Sequence, residues 1–257
     1  MSTAGILSPL AARYASWLGL PAERIESEVP AEQVRAMPVV LRIERADPPA
    51  RTALLEAAAA AALAVCLDER TEPDGEWHEP VAAWLAGHIR KVSRRARGAH
   101  WQAVQELPGL TVEVGGAEVR ALLPGLVTET RKAVSRLQIS GSELPDDEPG
   151  EPPAGVPVLW LNPAVAMTAG KAAAQVGHAT MLLAALLHAD GHDDVLADWS
   201  TVDYRCAVRT PSRAAWMSRH PGDDPLSAWR TRRVVAVRDA GFTEIAPGTV
   251  TVVAQLP

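Results

Sequence analysis

Cysteine is almost missing. Two thiols, Cys66 and Cys206, in 257 residues build neither a disulfide framework nor a zinc site; they fit two buried thiols in a reducing, cytoplasmic compartment. Long apolar runs are missing as well. The longest, Ala57–Leu67, has 11 residues, against the roughly 20 that span a bilayer, so no membrane partner is expected. The chain does not open on a basic start followed by an apolar core, so no signal peptide is expected. Basic charge is in short supply overall: 25 Lys and Arg against 31 Asp and Glu give a net charge of −6. An even spread would argue against a nucleic-acid partner, but the spread is uneven. Residues 157–257 carry 9 basic and 9 acidic side chains, so the whole acidic excess lies before them. The low total therefore does not exclude a local basic face.

What is present is enough for real cores: 47% of the residues are apolar, in a length that suits one large domain or two small ones. Ser140–Gly155 marks the division. Four prolines, three glycines and five acids in 16 residues cannot build a core. The expected organisation is an N-terminal α/β domain over 1–139, a linker over 140–155 and a second domain over 156–257.

In the first part, apolar spacing predicts helix within residues 1–36, and Pro38–Ile43 reads as a strand. Thr52 is expected to cap a helix through Leu67. Pro80–Arg97 reads as a helix with a basic end, Arg90, Lys91, Arg94, Arg95 and Arg97. The helix dipole favours cations there, and a phosphate-contacting patch at Arg90 and Arg94 is the functional alternative. Leu110–Val114 and Val119–Leu123 read as a hairpin through Gly115-Gly116. In the second part, strands are expected at Val158–Leu161, Tyr204–Val208, Val234–Val237 and Thr249–Ala254, with a helix at Pro211–His220. Residues 221–225 read as a loop. The whole reads β-α-β-α-β-β, a small mixed sheet with helices packed on it.

The most informative stretch is 159–179, LWLNPAVAMTAGKAAAQVGHA. It reads as strand, loop, helix. Lys171, Gln175 and His178 fall at i, i+4 and i+7, so one face of an otherwise apolar rod is polar. Lys171 sits in the first turn, where a cation opposes the dipole, which suggests an anion or a developing oxyanion beside it. His188, His192, Asp193 and Asp194 have a spacing that could suggest a metal. They lie where that helix ends, a comfortable place for histidine, and no metal is expected.

Two stretches, GKAAAQVGHA (170–179) and VRDAGFTEIAPGTVTVVA (237–254), strongly resemble the type 2 peptidyl-tRNA hydrolases over roughly residues 157–257. The resemblance implies an α/β/α sandwich on a four-stranded mixed sheet. It implies hydrolysis of the ester between a stalled peptide and the 3′ ribose of tRNA, without metal or cofactor. It places function on Lys171, His178, Asp239, Thr243 and Thr251, with Gly170, Gln175, Gly241 and Thr249 beside them and a Pro247-Gly248 turn. Ala169 stands where the family often has a lysine, Asn162 and Ala164 where arginine and aspartate are usual, and Phe242 where arginine is common. A catalytically weak or inactive relative that binds RNA or a protein partner is the alternative.

Ester hydrolysis needs an activated water and a place for charge on the carbonyl oxygen. On the resemblance, Asp239 would orient or deprotonate water, directly or through His178. Lys171 would hold the oxyanion or a phosphate, and Thr243 and Thr251 would fix water or ribose. Singly, each has a plainer role: Asp239 and Thr243 as turn caps, His178 as a core histidine, Lys171 as a solvated side chain.

The halves also echo each other. MPVVLR (37–42) resembles VPVLWL (156–161), IRKVSRRARGAHW (89–101) resembles YRCAVRTPSRAAW (204–216), and LTVEVGGAEV (110–119) resembles VVAVRDAGFTEI (234–245). If the first half is a degenerate copy, Thr52, Ala59 and about Glu113 take the places of Lys171, His178 and Asp239. The chain would then be a monomer with an internal pseudo-dimer; a homodimer is the other expectation.

Overall fold

The computed structural model describes residues 3–19, 30–240 and 245–257. A 3-10 turn leads into α1 (Ser8–Gly19). There follow β1 (Arg35–Arg42), α2 (Arg51–Cys66), α3 (His78–Ala86), β2 (Arg90–Ala96), α4 (Gly98–Gln105), β3 (Gly109–Val114), β4 (Ala117–Leu122), the short β5 (Gly125–Leu126) and α5 (Lys132–Ser135). After a stretch without helix or strand come β6 (Val158–Leu161), α6 (Ala169–Ala189), α7 (Asp193–Ser200), β7 (Ala207–Arg209), α8 (Arg213–Arg219), α9 (Pro225–Arg232), β8 (Val234–Arg238) and β9 (Val250–Gln255).

The strands form two mixed sheets of one topology. The first runs β2-β1-β4-β3, with β5 added beside β1, and the second runs β7-β6-β9-β8. In each, the first two strands pair in parallel and the other pairings are antiparallel. The registers superpose residue by residue up to an irregularity after Val237. Val39 pairs with Ser93 and Ala121, as Leu159 pairs with Val208 and Ala254. Trp84 donates its indole N–H to the carbonyl of Arg90 at 3.1 Å, and Trp199 donates to that of Arg205 at 2.7 Å. Trp101 and Trp216, aligned by the sequence echo, each cover the outer face of their own sheet. The first half is thus a second copy of the fold.

The two copies meet through α2 and α6. Both helices are rich in alanine, a strong helix former whose small side chain permits close approach. Thr180 on α6 donates to the carbonyl of Ala59 on α2 at 2.8 Å. A Cβ placed on Gly177 would lie 2.9 Å from the Cβ of Ala62. These two contacts exchange when Ala59 is matched with Gly177 and Ala62 with Thr180, so the helices cross on a pseudo-twofold axis. Each half-sandwich buries its central helix against the other's, and one continuous core runs between the sheets. Helix α6 is long and apolar enough to cross a membrane, yet 83% of its apolar window is buried inside the protein.

The 140–155 stretch has no secondary structure, but it is fastened to both copies. Asp147 accepts from the backbone N–H and the hydroxyl of Thr52 at 3.1 and 2.7 Å, and Ser142 accepts from the backbone N–H of Gly170 at 3.1 Å. It therefore caps both central helices, each cap contributing about 1 kcal/mol. This corrects one expectation: α2 begins at Arg51, with Ala50 at the cap position, and its capping carboxylate comes from distant Asp147 rather than from Thr52.

Other expectations also change. Pro80–Arg97 is not one helix. It ends at Ala86, and Arg90–Ala96 is strand β2, paired in parallel with β1, so the basic cluster sits on a sheet rather than at a helix terminus. Tyr204 and Asp203 have left-handed φ of 55° and 53°, which breaks the expected strand, and β7 starts at Ala207. Asp193–Ser200 is helical, and so is Pro225–Arg232, where Asp224 caps and Pro225 opens the first turn. The N-terminal helix is α1, with Leu10 and Tyr14 buried; residues 20–29 lie outside the described ones.

Candidate active site

Helix α6 carries the polar face that its sequence predicts, and the fold turns that face toward the C-terminal end of β8. Lys171 Nζ lies 2.5 Å from Asp239 Oδ2; the carboxylate is buried and the lysine side chain is 11% exposed. Gln175 Nε2 donates to the same oxygen at 2.7 Å, and the Thr251 hydroxyl donates to Gln175 Oε1 at 2.6 Å. Four side chains from α6, the residue after β8, and β9 thus form one hydrogen-bonded chain. Its polarity is consistent: the threonine hydroxyl satisfies the amide oxygen, and the amide nitrogen and the ammonium both serve the carboxylate.

Local backbone sets this up. A register irregularity between Val237 and Arg238 re-aims the end of β8. Asp239 is then pinned by its own backbone, donating to the Thr249 carbonyl and accepting from the Gly248 N–H, each at 2.8 Å. The Thr249 hydroxyl turns away to the Ala246 carbonyl, so Thr249 positions Asp239 through its main chain. At the helix start, Thr168 accepts from the Lys171 N–H at 3.1 Å and Ser142 from the Gly170 N–H. Both backbone donors are occupied, so the cation offered here is the Lys171 ammonium rather than an open helix terminus. Thr243 and Gly241 lie outside the described residues.

These groups open on a cavity of about 1030 Å³ lined from both copies of the fold. His178 faces it one turn beyond Gln175. Its Nδ1 lies 3.1 Å from Nζ of Lys91, which comes from β2 of the first copy. Burial, together with Lys91 and Lys171, holds the His178 pKa well below that of an ordinary imidazole, so the ring is neutral at pH 7. Burial also pulls the Lys91 amine down to about 7. Arg90 and Arg94 line the same cavity. One nitrogen of Arg94 also braces the wall by donating to the carbonyls of Ser135 and Leu137.

Residues 156–257 match the family model of the peptidyl-tRNA hydrolase PTH2. No curated protein and no solved structure gives a significant match. The PTH2-matching segment contains the whole Lys171–Asp239–Gln175–Thr251 chain, while Lys91 lies outside it. In the sequence Lys91 stands out only as one member of the basic cluster Arg90, Lys91, Arg94, Arg95 and Arg97.

The first copy holds no such chain. Through the helix crossing, Ala53, Ala57 and Ala60 take the places of Lys171, Gln175 and His178, one residue beyond the expected Thr52 and Ala59. Through the strand register, Val114 and Glu118 take the places of Asp239 and Thr251. His188 and His192 have local duties: His188 pairs with Asp193 at 2.7 Å and His192 with Arg233 at 2.9 Å. Both cysteines are free and buried, and burial raises the Cys66 pKa to about 12, so neither is a ready nucleophile.

Proposed function

We propose that the PTH2-matching half hydrolyses the ester linking a peptide, or an N-blocked aminoacyl group, to the 3′ ribose of tRNA. The observation that carries this is the buried Lys171–Asp239 pair at the wall of a cavity large enough for a 3′-terminal nucleotide and its acyl group. Asp239 accepts from Lys171 and Gln175 and serves as the group that aligns and deprotonates the attacking water. Lys171 supplies positive charge for the carbonyl oxygen as the tetrahedral intermediate forms. Gln175 and Thr251 keep the carboxylate in register.

The charge around the cavity suits a polyanion. Among the described lining residues, Arg13, Arg90, Lys91, Arg94, Lys171 and Arg238 face only Glu143 and Asp239 as acids. A chain of net charge −6 has therefore gathered cations where a phosphate backbone would arrive. Release of N-acetyl-aminoacyl groups from charged tRNA tests the reading. The parent protein is expected to release them, and Asp239→Asn to be slower by about 10²–10⁴-fold. Release by both at one rate, or by neither, would sink it.

A further inference from the structure

The first copy has lost every counterpart of the catalytic chain, yet it still reaches into the second copy's site. Lys91 leaves β2, passes the face of the Trp84 ring with Nζ 5.1 Å from its centroid, and ends 3.1 Å from both Nδ1 of His178 and Sδ of Met181. Helix α6 makes room for it. A Cβ on Gly177 would lie 3.0 Å from Cε and 3.3 Å from Cδ of Lys91, and a mid-helix glycine is otherwise unfavourable. The mirrored position shows what is lost without it. Register places Cys206 opposite Lys91 and the helix crossing places Ala60 opposite His178, so the amine and the imidazole are present together, or absent together, on each side of the axis.

We propose that Lys91, given by the first copy, is a positioning residue for the second copy's site: it donates to Nδ1 of His178, holds the proton on Nε2, and so makes His178 a hydrogen-bond donor to an oxygen of the bound ester rather than the base. The inference rests on the ester-hydrolase reading and assigns the base role to Asp239 alone. As an ammonium, the form it holds below about pH 7, Lys91 has protons and no lone pair to offer this contact, and an imidazole bonded through an accepting Nδ1 carries its hydrogen on the other nitrogen. The Met181 sulfur is a further weak acceptor on Lys91, and the Trp84 ring face favours a cation. Cys66 from α2 and His178 from α6 face the amine, with Arg90 next to it on the strand, and Lys171 from α6 acts on His178.

The test is ¹⁵N NMR of histidine-labelled protein together with steady-state kinetics, on the full chain and on Lys91→Met, with His178→Gln identifying the signal. In the parent protein, His178 should show an unprotonated, hydrogen-bonded Nδ1 and a protonated Nε2. Lys91→Met should shift the Nδ1 resonance, raise the His178 pKa, remove an ionisation near pH 7 from the rate profile, and lower kcat at unchanged KM by roughly 10–100-fold, the scale seen when the orienting partner of a metal-bound histidine is removed. A proton on Nδ1 in the parent protein overturns the proposal and requires no variant to fold. So does a Lys91→Met protein whose His178 titration and rate profile are those of the parent. The NMR arm needs no turnover, so an inactive parent protein with a Lys91-dependent His178 would overturn the ester-hydrolase reading and leave the coupling standing.

Discussion

The ammonium of Lys171 meets the carboxylate of Asp239 at 2.5 Å, although 68 residues of chain separate them. Strand β9 runs back beside β8 and Thr249, just before it, fastens the Asp239 backbone, while the caps from Thr168 and Ser142 fix where α6 begins. The Asp239 carboxylate is buried behind this pair, and that makes the pair sensitive to one-sided change.

Removing one member strands the other. Lys171→Ala should destabilise the fold by about 3 kcal/mol, the lower end of the cost of an uncompensated buried charge, and urea unfolding measures it. Asp239→Asn keeps an acceptor for both donors and should fold with a much smaller loss. Equal losses in the two variants would show that the pair is not buried in solution.

Thr251 has a narrower duty. Thr251→Val keeps the shape and removes the donor to Gln175 Oε1, leaving a buried amide oxygen unsatisfied at a cost of about 1–3 kcal/mol. Thr251→Ser should recover most of that stability and most of the hydrolytic rate. Failure of the serine variant to recover either would place the role of Thr251 in its methyl group.

Stability should depend on pH at two places. Between about pH 7 and the ordinary thiol value of 9, the unfolded chain binds a proton at Lys91 that the folded chain has released, so stability rises with pH; above 9 the buried thiols of Cys66 and Cys206 keep protons that the unfolded chain loses, which opposes the rise. Below the ordinary imidazole value of 6.5, the unfolded chain takes a proton that buried His178 refuses, so stability falls as pH drops. Urea midpoints across pH 5–9, the window these values define, should show both slopes, and Lys91→Met should flatten the one above pH 7.

Gly177 tests the contact between copies. On a free helix, Gly→Ala stabilises by about 1 kcal/mol. Here the new methyl meets Ala62 and Lys91, and overpacking should reverse the sign, destabilising by about 1–3 kcal/mol. A rise in Tm for Gly177→Ala would mean that α2 and α6 are further apart than described.

Much of this was legible in the sequence because local and tertiary signals agreed. The alanine-rich stretch after Thr168 is helical on propensity and on capping, and its three polar residues share a face by spacing alone. The repeat could be read through Trp101 and Trp216, since large aromatic anchors persist where helix faces drift. Lys91 could not be read that way. Seven residues with a lysine and three arginines, RKVSRRA, show no apolar alternation, because β2 gives much of its length to the cavity wall and to braces such as Arg94. A strand whose side chains serve a site hides from a test built on core burial. The helices α7 and α9 were missed for a simpler reason: each is eight residues, opened by polar residues that also read as loop.

The connection through 140–155 turns an encounter between two folded bodies into an intramolecular event, so their pairing does not weaken on dilution. It also frees each body to change alone. Two subunits made from one gene must share every substitution, whereas here one side could exchange its lysine, glutamine and histidine for alanines while the other kept them, and could place a new amine where only its neighbour would use it.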